Sequence, residues 1–168
     1  TSLQIGQRML AREARVSISK IRRGMLTGGD FGAIASAMST TSRYKIDIDV
    51  TSKTPLEVRA KLREKPYALL ICDYLQIMRP DGKCNNREQE VSSISRGLKE
   101  LTLDFNIPVI CPSQMNREVD KRNNQKPLLA DLSESAAIAK DPDHVMLLDE
   151  EHAKNDGAKT LDLDVDKQ

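Results

Sequence analysis

At 168 residues the chain is long enough to bury a real core and short enough to form one domain. Tryptophan is absent and only three tyrosines and two phenylalanines occur, so the core must be aliphatic, and no apolar stretch is long enough to cross a bilayer as a helix. The formal charge of +1 hides an asymmetry: from Asp141 onward nine acids face three lysines, a balance of −6 that leaves +7 on residues 1–140, a distribution compatible with nucleic-acid binding.

Residues 1–15 read as a helix, with Thr1 or Ser2 as cap and Leu3, Gly6, Leu10 and Ala14 on one face. Helical signal continues through residues 18–39, broken near Gly24 and again at Gly28 and Gly29, where Thr27 or Asp30 would cap the next segment. "YKIDIDVT" alternates Ile46, Ile48 and Val50 with Asp47 and Asp49, the pattern of a half-exposed edge strand. Thr54 and Pro55 open a short helix. Residues 67–73, "YALLICD", then read as a strand buried on both faces, ending in Asp73.

A polar loop, 79–88, leads into the clearest helix of the chain, where Val91, Ile94, Leu98, Leu101 and Phe105 recur at three- and four-residue steps. "IPVICPSQ" is a second continuous apolar strand, and a polar connection follows at 115–128. A short helix at 129–139, the strand "HVMLLDE" and the alternating "TLDLDVDKQ" close the chain. Apolar strands alternating with amphipathic helices predict an α/β fold with a mainly parallel sheet, in one domain spanning 1–168.

The start of the chain, Thr1, does not read as a signal peptide, and the absence of an initiating methionine suggests an excised piece. Cys72, Cys84 and Cys111 form no CxxC pair, which argues for a reducing, cytoplasmic setting without disulfides or zinc; Cys84 is the thiol expected to be accessible. His144 and His152 lack metal-ligand spacing.

A carboxylate closing a buried strand is costly unless it is paired or binds something. Ligands of open α/β sheets sit beyond the carboxyl ends of the strands, so Asp73 either holds a Mg²⁺ ion, as in nucleotide hydrolases, or caps the loop after its strand. A phosphate loop of the form GxxxxGK[ST] is absent, because after Gly24 to Gly29 the lysine and hydroxyl positions hold Asp30 and Phe31. Gln114, at the end of the second apolar strand, either begins a loop or lies beside Asp73, where its amide can orient a water or touch a terminal phosphate. Arg117, Lys121, Arg122 and Lys126 form either a solvated surface or a track for a phosphate backbone. No aromatic is interleaved there, so base stacking is not expected.

Four stretches together, "SLQIGQRMLAREARVSISKIRRGMLT", "ICDYLQIMRPDGKCNNREQEVSSISRGLKEL", "IPVICPSQMNREVDKR" and "KPLLADLSESAAIAKDPDHVMLL", resemble the C-terminal motor domain of DnaB-type replicative helicases, in order and spacing over nearly the whole chain. The resemblance implies a RecA-like core, a homohexameric ring, and ATP- and Mg²⁺-driven movement along single-stranded DNA. It makes Asp73 the Walker-B aspartate and Gln114 a phosphate-sensing glutamine, and aligns Lys167 with a lysine that reaches the neighbouring subunit's ATP site. DNA contacts would come from Arg117, Arg122 and Lys126 and from Ser133, Glu134 and Ala136 of "DLSESA".

The departures from the family pattern are specific. Its phosphate-loop strand and catalytic glutamate would precede Thr1, and its partner arginine would fall just past Gln168. Ser133 stands where the family has an arginine and Ala136 where it has a glycine. Contacts with primase and a helicase loader would run through regions outside this chain. Two expectations follow: part of a replicative helicase motor, or a catalytically inactive derivative that binds DNA or a full-length ring. Negligible ATPase activity is expected of this chain alone.

Overall fold

The computed structural model describes residues 1–115, 132, 137–152 and 159–167, with 137, 149–152 and 159–167 described through their backbone. The chain divides into two compact units, Thr1–Thr51 and Ser52–Gln168.

The first unit is helical: α1 (Ser2–Ala14), α2 (Ile18–Arg23) and α3 (Gly28–Thr41). The starts of α1 and α3 follow from their capping chemistry. Thr1 accepts from the Gln4 N–H while Gln4 bonds back to the chain terminus. At α3, Thr27 and Asp30 cap reciprocally, the Asp30 carboxylate taking the Thr27 N–H at 2.9 Å and its hydroxyl at 2.8 Å. Gly24 ends α2 in the left-handed region at φ 68°, which a residue without Cβ enters freely. The core of this unit is Ala14, Val16 and Ala37, with Leu10, Ile21, Leu26, Ala33 and Ile34 packed around them. Small residues at these positions let α1 and α3 lie close together. Leu3 and Gly6 do not join this core: Leu3 is 70% exposed, and the buried face of α1 is carried by Ala11 and Ala14.

The segment expected to be a strand at 44–50 is not one. Ile46 and Val50 are exposed, and Asp49 folds back to accept the Thr51 N–H and hydroxyl, both at 2.7 Å. Alternation marks a surface suited to a sheet, but a strand forms only where its backbone groups find a ladder. No described strand pairs with this segment.

In the second unit, Thr54 and Pro55 start α4 (Pro55–Leu62) through a capping box with Glu57. Asp81 adds a bond to the Leu56 N–H at 2.9 Å. The central element is α5 (Arg87–Phe105), capped by Asn86 and closed by Asn106 in the left-handed region. It buries Val91, Ile94, Leu98 and Leu101, the periodic residues. Val91, Ile94 and Leu101 have no exposed surface, each burial being worth about 1.5–3 kcal/mol. Leu62, Leu75, Met78, Ile107 and Ile138 complete this core. Helices α4 and α5 meet at Gly97, where a Cβ would lie 2.8 Å from Pro55 Cβ and Cγ. Arg59 of α4 pairs with Glu100 and Asp104 of α5.

Two small sheets accompany α5. β1 (Leu70–Ile71) and β2 (Val109–Ile110) pair in parallel, with Leu70 opposite Val109 and Ile71 opposite Ile110. After α6 (Ala137–Lys140), β3 (His144–His152) and β4 (Lys159–Lys167) pair antiparallel from His144↔Lys167 to His152↔Lys159. The final alternating segment is thus a strand, as its pattern predicts.

β1 and β2 are not buried on both faces. Leu70, Cys72, Val109 and Cys111 pack against the α5 core, whereas Leu69, Ile71 and Ile110 are 43%, 60% and 53% exposed. An unbroken apolar run shows that both faces are apolar. It does not show that both are covered, and here α5 covers one of them.

Candidate functional site

Parallel pairing sets which residues share an edge. The ladder begins with the Leu70 N–H donating to the Pro108 carbonyl at 3.1 Å and the Cys72 N–H to Ile110 at 2.9 Å. The Leu75 N–H reaches the Pro112 carbonyl at 2.9 Å. Both chains therefore run out in the same direction, and Asp73 and Gln114 emerge at the same carboxyl edge, both exposed.

The expectation that Asp73 is a buried carboxylate is overturned. It lies one residue past Cys72, beyond the part of β1 that α5 covers, so its charge stays in water and needs no protein partner for stability. The Asp73–Tyr74 peptide bond is cis. Next to it, Cys72 and Cys111 occupy neighbouring positions on the two strands, both half-buried. Burial pushes the Cys72 thiol up to about 11. Burial, then Cys72 and the Asp73 charge, push Cys111 up to about 12. Both therefore stay protonated and unreactive at neutral pH. Cys84 is half-buried too, so it is not set apart by accessibility as its polar loop suggested; its thiol lies 3.9 Å from the Gly82 carbonyl.

The arrangement includes a residue that sequence reasoning missed. Gln76, in the 3-10 turn Leu75–Ile77, accepts the Gln114 N–H on Oε1 at 3.1 Å. Its Nε2 donates to Ser113 Oγ at 2.9 Å and to the Gln114 carbonyl at 3.3 Å. Its own carbonyl accepts from Arg87 Nη2 at 3.2 Å, and Arg87 Nη1 donates to Glu90 at 3.1 Å. A signal was present: one carboxamide stands among the apolar residues of "YLQIM" directly after Asp73.

Of the other expected site residues, Lys167 is the last residue of β4, opposite His144 and on a different sheet from Asp73 and Gln114. Arg117, Arg122, Lys126, Ser133, Glu134 and Ala136 lie outside the described residues. Among the described residues no group of three or more His, Cys, Asp or Glu gathers into a metal cage. A single exposed carboxylate at a strand end nevertheless fits Mg²⁺, which binds through one or two carboxylates together with waters and substrate phosphates. The described residues include no helix long and apolar enough to cross a membrane.

A family described as "DnaB-like helicase C terminal domain" matches residues 1–168. The replicative DNA helicase DnaB of Geobacillus stearothermophilus is 38% identical over 151 residues, covering 86% of this chain and 33% of that protein. That of Mycobacterium leprae (strain TN) is 38% identical over 150 residues, covering 86% of this chain and 25% of that protein. The chain thus spans between about a quarter and a third of the length of these curated relatives. A solved ATPase domain superposes with a TM-score of 0.82 at 25% identity, over 97% of this chain and 66% of its own. The structure titled "The Structure Of A DnaB-Like Replicative Helicase And Its Interactions With Primase" gives 0.79 at 25% identity, over 94% of this chain and 44% of that one.

Proposed function

We propose, from the premise that this chain belongs to the DnaB-like helicase C-terminal domain family, that it is part of an ATP-dependent replicative DNA helicase motor. Its fold is the RecA-like α/β fold of the solved ATPase domains it superposes on. One observation supports the reading: Asp73 and Gln114 both leave a parallel strand pair at its carboxyl edge, and both are exposed. Residues 1–168 then form part of one motor domain.

In this reading Asp73 holds Mg²⁺ through its carboxylate. The bound ion supplies charge neutralisation on the nucleotide's phosphate oxygens. Gln114 presents a neutral amide beside it, able to hydrogen-bond a terminal phosphate or orient a water without adding charge. Lys167 serves the ATP site of the next subunit in a homohexameric ring. Arg117, Arg122 and Lys126 track the phosphates of single-stranded DNA, with Ser133, Glu134 and Ala136 beside them. A cytoplasmic location follows from this role, and primase and loader contacts belong to other parts of the relatives.

A second reading is favoured by a specific observation: serine stands at 133 where the family pattern has an arginine. Here the chain is a catalytically inactive module that binds DNA or a full-length ring. Positioning and charge stabilisation supply most of the catalysis in phosphoryl transfer, so negligible ATPase is expected of this chain alone in either reading. Equilibrium binding of a fluorescent ATP analogue separates the two. The motor reading expects Mg²⁺-dependent binding that weakens by about tenfold in Asp73→Asn. Binding of single-stranded DNA with no nucleotide affinity would favour the inactive module.

A further inference from the structure

We propose that Gln76 is a positioning residue that fixes Gln114 relative to Asp73 and, through Arg87, ties this edge to the start of α5. The inference deepens the nucleotide-site reading above and rests on it. Backbone bonds join the two segments as far as Pro112, which accepts the Leu75 N–H. Beyond that point the chain turns into Leu75–Ile77. There the side chain of Gln76 takes over as a surrogate strand, accepting the Gln114 N–H at 3.1 Å and donating to its carbonyl at 3.3 Å. The Gln114 N–H can only donate, so it fixes Oε1 as the acceptor and leaves Nε2 to donate to Ser113 Oγ at 2.9 Å.

Only a carboxamide carries a neutral donor and acceptor side by side, so neither Glu nor Leu can make both bonds. The Gln114 side chain is exposed, so its place is set through its backbone, and the Gln76 amide holds that backbone. Gln76 is in turn held by Arg87, the first residue of α5, at 3.2 Å. The connected groups Gln114, Gln76, Arg87 and α5 thus form one continuous path. A displacement of Gln114 on contact with a phosphate is passed to a helix whose far side is the core of the unit.

Amide hydrogen exchange and ¹⁵N NMR on the 168-residue chain test this. In Gln76→Ala, Gln114 N–H exchange should speed up by about tenfold, while the Cys72 and Leu75 amides keep their protection. Gln76→Glu keeps the acceptor for the Gln114 N–H but sets a carboxylate oxygen against its carbonyl, so Gln114 exchange should rise severalfold with Cys72 and Leu75 unchanged, which carries the test if the alanine variant does not fold. Titration with Mg²⁺ and a non-hydrolysable ATP analogue should shift Gln114 and Arg87 in the unaltered chain, but Gln114 alone in Gln76→Ala. Unchanged Gln114 exchange in Gln76→Ala, or equal loss of protection at Cys72 and Leu75, would overturn the positioning role. So would an Arg87 response that survives the substitution. A titration that moves neither Asp73 nor Gln114 in the unaltered chain sinks the nucleotide site and the relay together, and the exchange data show separately whether Gln76 holds the loop.

Discussion

The two sheets are built on opposite principles. β3 and β4 pair over nine residues each, and the described side chains of β3 alternate cleanly: Val145 and Leu147 are buried, Met146 and Leu148 exposed. β1 and β2 pair over two residues each, yet this pair presents Asp73 and Gln114. A long antiparallel ladder is held largely by its own bonds and cross-strand contacts. The short parallel pair depends on what supports it: the α5 core against one face, and a side-chain amide beyond its end. The proposed nucleotide site thus falls on the less self-sufficient sheet.

Removing that support should produce the largest effect. Ile94→Ala empties a fully buried site in α5 and should lower stability by about 2–5 kcal/mol in urea denaturation, with β1 and β2 amides losing protection before those of β3 and β4. Simultaneous loss in both sheets would erase the contrast. Gly97→Ala should cost about 1–3 kcal/mol, because the new Cβ meets the Pro55 ring and α4 must shift off α5. Asn106→Ala should cost about 1 kcal/mol, since the helix end before β2 sits at φ 50° and asparagine tolerates this region better than alanine. On β3, Met146→Lys should change thermal stability by less than about 0.5 kcal/mol, whereas Leu147→Lys should be severely destabilising.

The smallest effect concerns acid. The Lys99 ammonium, by hydrogen bond at 2.5 Å and by charge, holds the Asp143 carboxyl below its ordinary value of 3.8. A group whose pKa is lowered in the folded state contributes stability fully above 3.8, lost as pH falls through the folded value. Lys99→Met should therefore flatten the stability–pH curve only below about pH 4, as read by thermal unfolding across acidic buffers.

Much of the scaffold was legible because its causes are local. α5 announces itself through apolar spacing, and Thr1, Thr27 and Thr54 mark three helix starts by chemistry within three residues. Strand positions at 70–71 and 109–110 followed from apolar runs, but their burial did not, since coverage depends on elements distant in sequence. The failure at 44–50 has the same root: alternation describes the segment and not its partner. Asp73 drew notice for a wrong reason, a burial it does not have, and it still lies at the candidate edge. Gln76 went unnoticed because its partners, Ser113 and Gln114, are remote along the chain and adjacent only once the strands pair.

The Gln76 amide also sets a thermal population. Two neutral hydrogen bonds to Gln114 are worth about 1–3 kcal/mol net, so residues 113–114 should be unlatched from Gln76 roughly 1–15% of the time with the α5 core undisturbed. Such a segment is held firmly enough to have a defined resting place and loosely enough to leave it at physiological temperature.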